Sequence, residues 1–397
     1  MLPMQTKDRS NAVRHGRWAV ATAFFVNGFL AGGWALQIPI LRDRLEIGET
    51  TLGLLILVLG VGAVVAMPWC GFLIGRYGSR SILMAVAFMA AFALMPVALV
   101  PGVLAAIPVL FLFGAILGSM DVAMNANAVS VERQLGRPIM SSSHGFWSLG
   151  GFAGAASGGF IIQQFGAIIH ASVTTLTAVL LISLVAGKFL AGDRPVASAR
   201  QPFRLPANPL IYLIGLIALL SMIPEGTVLD WAAIYLSQEL GAEIAIAGLG
   251  YAAFSATMAL MRFLGDGIRT RFGAVNTLRI SSLIAAAGMA GAWLAPDPLF
   301  AILALAVTGL GIANMIPIAF SAAGNQPGLA PGAGIGVVTT MGYSGILVAP
   351  SLIGFIGEHV GFAPIFGALA LLLCVVSACA GLARSADFQA VRSADQG

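Results

Sequence analysis

Apolar runs of about 20 residues, the length that crosses the hydrocarbon core of a bilayer, recur along the whole chain between short polar breaks. They predict helices near 18–41, 50–74, 81–100, 103–130, 142–167 and 170–191. After a pause, further runs predict helices near 209–236, 244–265, 274–295, 298–323, 333–357 and 361–383. The longest polar stretch inside the chain is 192–208, from Gly192-Asp193-Arg194-Pro195 to Pro206-Ala207-Asn208. The pattern therefore predicts an all-α membrane protein of twelve spans. Its organisation is an N-terminal six-helix bundle (1–191), a linker (192–208) and a C-terminal six-helix bundle with a short tail (209–397). The polar start, Met1 to Arg17, leads into a span with no small-residue cleavage site, so the first helix is expected to be retained.

Composition narrows the class. Of 397 residues 59% are hydrophobic and 9% charged, with a mean hydropathy of +0.95. Soluble domains carry roughly a quarter charged residues, and disordered chains need high charge with few apolar residues. Both are excluded. Cys70, Cys374 and Cys379 lie in apolar runs without paired spacing, so neither a disulfide framework nor a metal site is expected. The net charge of +4 is no sign of nucleic acid, because the placement of the cations explains it. One side of the predicted spans collects Lys7, Arg9, Arg14, Arg17, Arg76, Arg80, Arg133, Arg137, Lys188, Arg194, Arg200, Arg204, Arg262, Arg269, Arg271, Arg279, Arg384 and Arg392, and the other only Arg42 and Arg44. Cytoplasmic loops are enriched in Lys and Arg, which predicts both termini in the cytoplasm.

The two sets of spans also repeat. An offset of 195, the separation of Gly53 from Gly248, relates Arg76-Tyr77-Gly78 to Arg271-Phe272-Gly273, Gly150 to Gly345, and Gly159-Phe160 to Gly354-Phe355. Slightly shifted offsets relate Trp34-Ala35 to Trp231-Ala232 and Gly118-x-x-Asp121 to Gly311-x-x-Asn314. The loop Gly71-Phe72-Leu73-Ile74-Gly75-Arg76-Tyr77-Gly78-Ser79-Arg80 resembles the cytoplasmic signature of the major facilitator superfamily, with Gly75 where that signature has an acid. Its second-half counterpart keeps an acid at Asp266, near Arg271. Gly118-Ser119-Met120-Asp121 through Asn127, and Pro224-Glu225-Gly226 through Trp231, are similar to a bacterial group near the fucose-permease-type sugar–proton symporters and rhizopine-associated carriers. The resemblance implies two halves of like orientation that bind a solute between them near the midplane. It assigns Gly71, Arg76, Gly78, Arg80, Asp266 and Arg271 to a gating loop.

Charges inside spans are costly and mark function by default. Asp121, Glu225 and Asp230 are the candidates for proton coupling, because a carboxyl in apolar surroundings can take up and release a proton near neutrality. Pro224 and Gly226 are expected to break the seventh helix beside Glu225. Amide and ring groups suit a hydroxyl-rich solute, which makes Asn27, Gln37, Asn125, His144, Trp147, Asn314 and Tyr343 the candidate solute contacts. His144 is also a candidate proton relay. The run Ser141-Ser142-Ser143-His144 lacks the acid a hydrolase needs, and no nucleotide or zinc-protease motif is present, so no enzyme and no cofactor is expected. The expected partners are a small-molecule substrate, the proton and the lipid bilayer, with no nucleic acid, and the carrier is expected to act as a monomer. The expected activity is alternating-access, proton-coupled symport of a small sugar-like or polyol-like solute. The alternative is an antiporting exporter of drugs or metabolites, weakened because Gly154-Ala155 stands where such exporters carry Gly-Pro.

Overall fold

The computed structural model describes residues 6–135, 139–190, 208–324, 326 and 333–386. The first half contains α1 (Thr6–Leu45), α2 (Glu49–Tyr77), α3 (Ser79–Leu99), α4 (Val103–Leu135), α5 (Met140–Phe165) and α6 (Ala167–Val185). The second contains α7 (Pro209–Gln238), α8 (Ile244–Phe272), α9 (Ala274–Trp293), α10 (Pro298–Ile312), α11 (Met315–Gly324), α12 (Ala333–Val360) and α13 (Ala363–Ala378). The pieces α10 and α11 make one span, Pro298–Ala323. Among the described residues eleven spans are long and apolar enough to cross a membrane. The twelfth crossing is α9, which is diluted by Asn276, Thr277 and Arg279.

Two expectations about helix continuity change places. Pro224 does not break α7, which runs unbroken from Pro209 to Gln238. One proline removes one amide donor. Its neighbours Ser221 and Thr227 turn their hydroxyls to the carbonyls of Ile217 and Ile223, the kind of local bonding that lets membrane helices keep a proline. The break falls instead at Ala313–Asn314, between α10 and α11. Arg262, counted with the loop cations from sequence, also moves: it lies inside the α8 span, Ile244–Gly265.

The internal repeat holds at the helix-ending loops. Gly78 closes α2 with φ 85° and Gly273 closes α8 with φ 77°, a left-handed turn that glycine adopts without a Cβ penalty. In both loops the preceding arginine lies over an aromatic ring, Arg76 over Tyr77 at 5.4 Å and Arg271 over Phe272 at 5.6 Å.

Two seams join the halves, α2 against α12 and α5 against α8, and they too are copies. A Cβ at Gly53 would meet the Pro350 carbonyl at 2.8 Å, and one at the equivalent Gly248 would meet the Ala155 carbonyl at 3.1 Å. Gly354 packs on the backbone of Glu49, and its equivalent Gly159 on that of Ile244 and Ala245. Small residues let helices approach this closely where lipid offers no hydrophobic drive to associate.

The buried core shows which end is closed. One cluster runs through the second half and into the first at Trp34, Leu36, Leu52, Leu55 and Phe113. The other stays within the first half, around Phe24, Leu83, Met120, Met124 and Ile182. Trp34, Leu52 and Phe113 lie toward the face of the α1–α2 loop, here called the far face, and the second cluster lies toward the face where the described chain begins and ends, the terminal face. The halves share a core at the far face and part toward the terminal face.

Candidate functional site

Glu225 and Arg262 form the charged centre. α7 presents the carboxylate and α8 the guanidinium, with Arg262 Nη2 3.3 Å from Glu225 Oε1. Both side chains are mostly buried, at 19% and 12% exposure. Removing two charges from water is repaid only when both are paired and hydrogen-bonded. The second bond comes from the other half: Arg262 Nη1 donates to Ser148 Oγ on α5 at 2.7 Å. Ser255 Oγ, two turns earlier on α8, donates to the Ser148 carbonyl at 2.7 Å. Tyr251, one turn further, interacts electrostatically with Glu225, Arg262 and Asp230.

The first half supplies Asp121 on α4. Its Oδ1 accepts from Asn125 Nδ2 at 3.2 Å, one turn on. Tyr343 on α12 lies within electrostatic reach of Asp121 in the first half and of Glu225 in the second. On α5 the His144 ring meets Phe24 edge-on at 5.0 Å and interacts electrostatically with Arg262. Trp147 Nε1 donates to Asn27 Oδ1 at 2.8 Å, and Asn27 Nδ2 donates to the Leu117 carbonyl on α4. Asp121, Asn125, Asn27, Trp147 and His144 thus share a region with Glu225 and Tyr343.

The remaining candidates lie elsewhere. Asp230 is buried toward the far face, where the Trp34 side chain hydrogen-bonds its carboxyl across the halves. Gln37 is buried with its amide donating to His170 Nδ1 at 2.9 Å and to the Ala167 carbonyl at 3.1 Å. Asn314 sits at the break in the tenth span, its side chain packed on Gly265 of α8. In the loop region Gly71 and Gly75 have open space around them, and Arg80 donates to the Gly187 carbonyl at 3.4 Å. The side chain of Asp266 lies outside the described residues.

Four groups of the site escaped the sequence reading: Arg262, Ser148, Ser255 and Tyr251. For Arg262 the signal was present. It falls inside the predicted span 244–265, where a cation is as costly as an acid.

No protein-family model matches the chain. Relatives do. It is 33% identical over 380 residues to an uncharacterized MFS-type (major facilitator superfamily) transporter of Yersinia pestis, covering 95% of this chain and 99% of that one. It is 36% identical to the uncharacterized transporter y4wD of Sinorhizobium fredii, over 85% of this chain and 90% of the other. It is 32% identical to the membrane protein MosC of Rhizobium meliloti, over 86% and 84%. Among solved structures, the nucleoside transporter NupG superposes with a TM-score of 0.74 at 14% identity, over 92% of this chain and 99% of that one. A D-xylose–proton symporter superposes with a TM-score of 0.73 at 13% identity, over 93% and 97%. These two share the fold.

Proposed function

Because the chain belongs to the major facilitator superfamily, we propose that it carries a small, polar, sugar-like or polyol-like solute across the bacterial inner membrane in symport with protons. The terminal face is cytoplasmic in this reading, as the cation distribution requires, and the halves 1–191 and 209–397 rock about the seams.

One observation supports it above the others: Tyr343 lies within electrostatic reach of Asp121 from one half and of Glu225 from the other. A solute held there touches both halves, which is where a rocking carrier binds. Asn27, Asn125, Trp147 and Tyr343 offer donors and acceptors to hydroxyls, and the rings offer stacking faces. Glu225 and Asp121 take the proton. An ionised Glu225 holds Arg262, and a protonated Glu225 leaves Arg262 with its bond to Ser148 on the opposite half. The state of the acid is thereby felt at the seam. His144 and Tyr251 are further titratable groups around it.

A thermal-stability screen against sugars, polyols, amines and drugs identifies the solute. Adding that solute to weakly buffered proteoliposomes is then expected to alkalinise the outside. Glu225→Gln and Asp121→Asn are each expected to abolish the alkalinisation. An undiminished signal in both variants contradicts the assignment.

A further inference from the structure

The far face is closed by polar contacts that repeat with the same register as the seams. Glu358, at the end of α12, accepts from the backbone amide of Thr50 at 2.7 Å, in the first turn of α2. The α2 N-cap residue is Gly48, which has no side chain to cap with. A helix start leaves unpaired amides and a partial positive charge, both of which favour a carboxylate. The cap of this first-half helix therefore comes from the second half. At the position equivalent to Glu358, α5 carries Gln163, and at the position equivalent to Gly48 the N-cap residue of α8 is Glu243. Gln163 Nε2 donates to Glu243 Oε2 at 2.6 Å. The same two places in the repeat meet at both seams, with the carboxylate on the end helix in one and on the start helix in the other.

We infer that these two contacts are one lock used twice, and that Glu358 and Gln163 set how readily the far face opens. A third link reinforces the first lock, because Glu49 accepts from Gln238 Nε2 of the second half at 2.7 Å and from Arg42 Nη1 at 3.1 Å. Opening the far face uncaps α2, strips Glu49 of Gln238 and separates Gln163 from Glu243. A charge-assisted hydrogen bond is about twice as strong as a neutral one, so these contacts bias the equilibrium between the two facing states without touching solute. The inference rests on the proposed rocking of the halves but on neither the solute nor the coupling ion.

The test is a spin-label distance across the far face. Labels replace Pro101 and Pro296, exposed in far-face loops of the two halves, after substitution of Cys70, Cys374 and Cys379. Gln163→Glu puts two carboxylates together, and Glu358→Ala removes the cap of α2. Each is expected to add a longer-distance population, raising the open-to-closed ratio about two- to fivefold, as the loss of one solvent-exposed charged contact would. Exchanging the partners, Gln163→Glu with Glu243→Gln, rebuilds the bond with reversed polarity and is expected to restore the parental distance. Parental distances in either single variant, or a long distance that persists in the exchange, overturn the inference. The distances are read without solute or pH gradient, so they stand whether or not proton symport is upheld.

Discussion

The seam between α5 and α8 and the seam between α2 and α12 share a backbone register yet end differently. At the far face both close on glycines, Gly159 and Gly248 in one, Gly354 and Gly53 in the other. Toward the terminal face they diverge. The α5/α8 seam continues through Ser148, Ser255 and Arg262 to Gly145, which packs on the Phe263 ring. In the α2/α12 seam Gly60 still packs on Leu347, but a Cβ at Gly71 or Gly75 of α2 would meet nothing within 4 Å. The equivalents of Ser148, Ser255 and Arg262 are Tyr343, Gly60 and Met67. Duplication supplies the helix pairing through small residues, and three side chains then divide the work. One seam becomes a polar clasp between the halves. The other carries an aromatic, Tyr343, within electrostatic reach of Asp121 and Glu225.

The strongest way to break that contrast is to give the first seam the residue of the second. Arg262→Met leaves Glu225 mostly buried without its counter-charge, and removing one partner of a buried pair costs about 3–5 kcal/mol. A large fall in the melting temperature of the purified carrier is expected, and adding Glu225→Gln is expected to recover most of it. A parental melting temperature in the single variant would show that the clasp carries no weight.

A second experiment compares glycines. Gly159→Ala and Gly53→Ala each place a methyl group against backbone of the opposite half, at 2.9 and 2.8 Å. Overpacking of this kind costs about 1–3 kcal/mol, whereas Gly71→Ala and Gly75→Ala meet open space. Thermal stability is expected to fall in the first two and to hold in the second two. Equal losses in all four would contradict the divergence of the seams.

Smaller effects sharpen the picture. Ser148→Ala removes the acceptor for Arg262 Nη1 but leaves Glu225 in place and keeps the Ser148 carbonyl for Ser255, so about 1 kcal/mol is expected, read by the same melting curves. Replacing Arg76 by Leu, or Arg271 by Leu, removes one ring contact at an exposed loop, worth about 0.5–1 kcal/mol. The two substitutions are expected to match each other, because both loops repeat the same contact. A large difference between them would mean that the two loops are not equivalent.

What was legible in the sequence follows from what generates each feature. The spans were readable because the bilayer demands long apolar runs, and the repeat was readable because glycines at seams and turns cannot be exchanged freely. Asp121, Glu225 and Tyr343 were visible as polar groups in apolar helices. Their meeting was not, since it depends on how the halves sit together. Arg262 was hidden by its place near a helix end, where a cation reads as a loop residue. The break at Asn314 was missed because no proline marks it, while Pro224 marked a break that packing and local hydroxyl bonds prevent. Gln37 looked like a solute contact because sequence cannot show that His170, far away in the chain, takes its amide.

The most direct test compares two rates in proteoliposomes containing Glu225→Gln. If Glu225 carries the proton, accumulation of solute under an imposed pH gradient is lost while solute-for-solute exchange across the membrane continues. Accumulation as strong as in the parent protein would contradict proton coupling at this site.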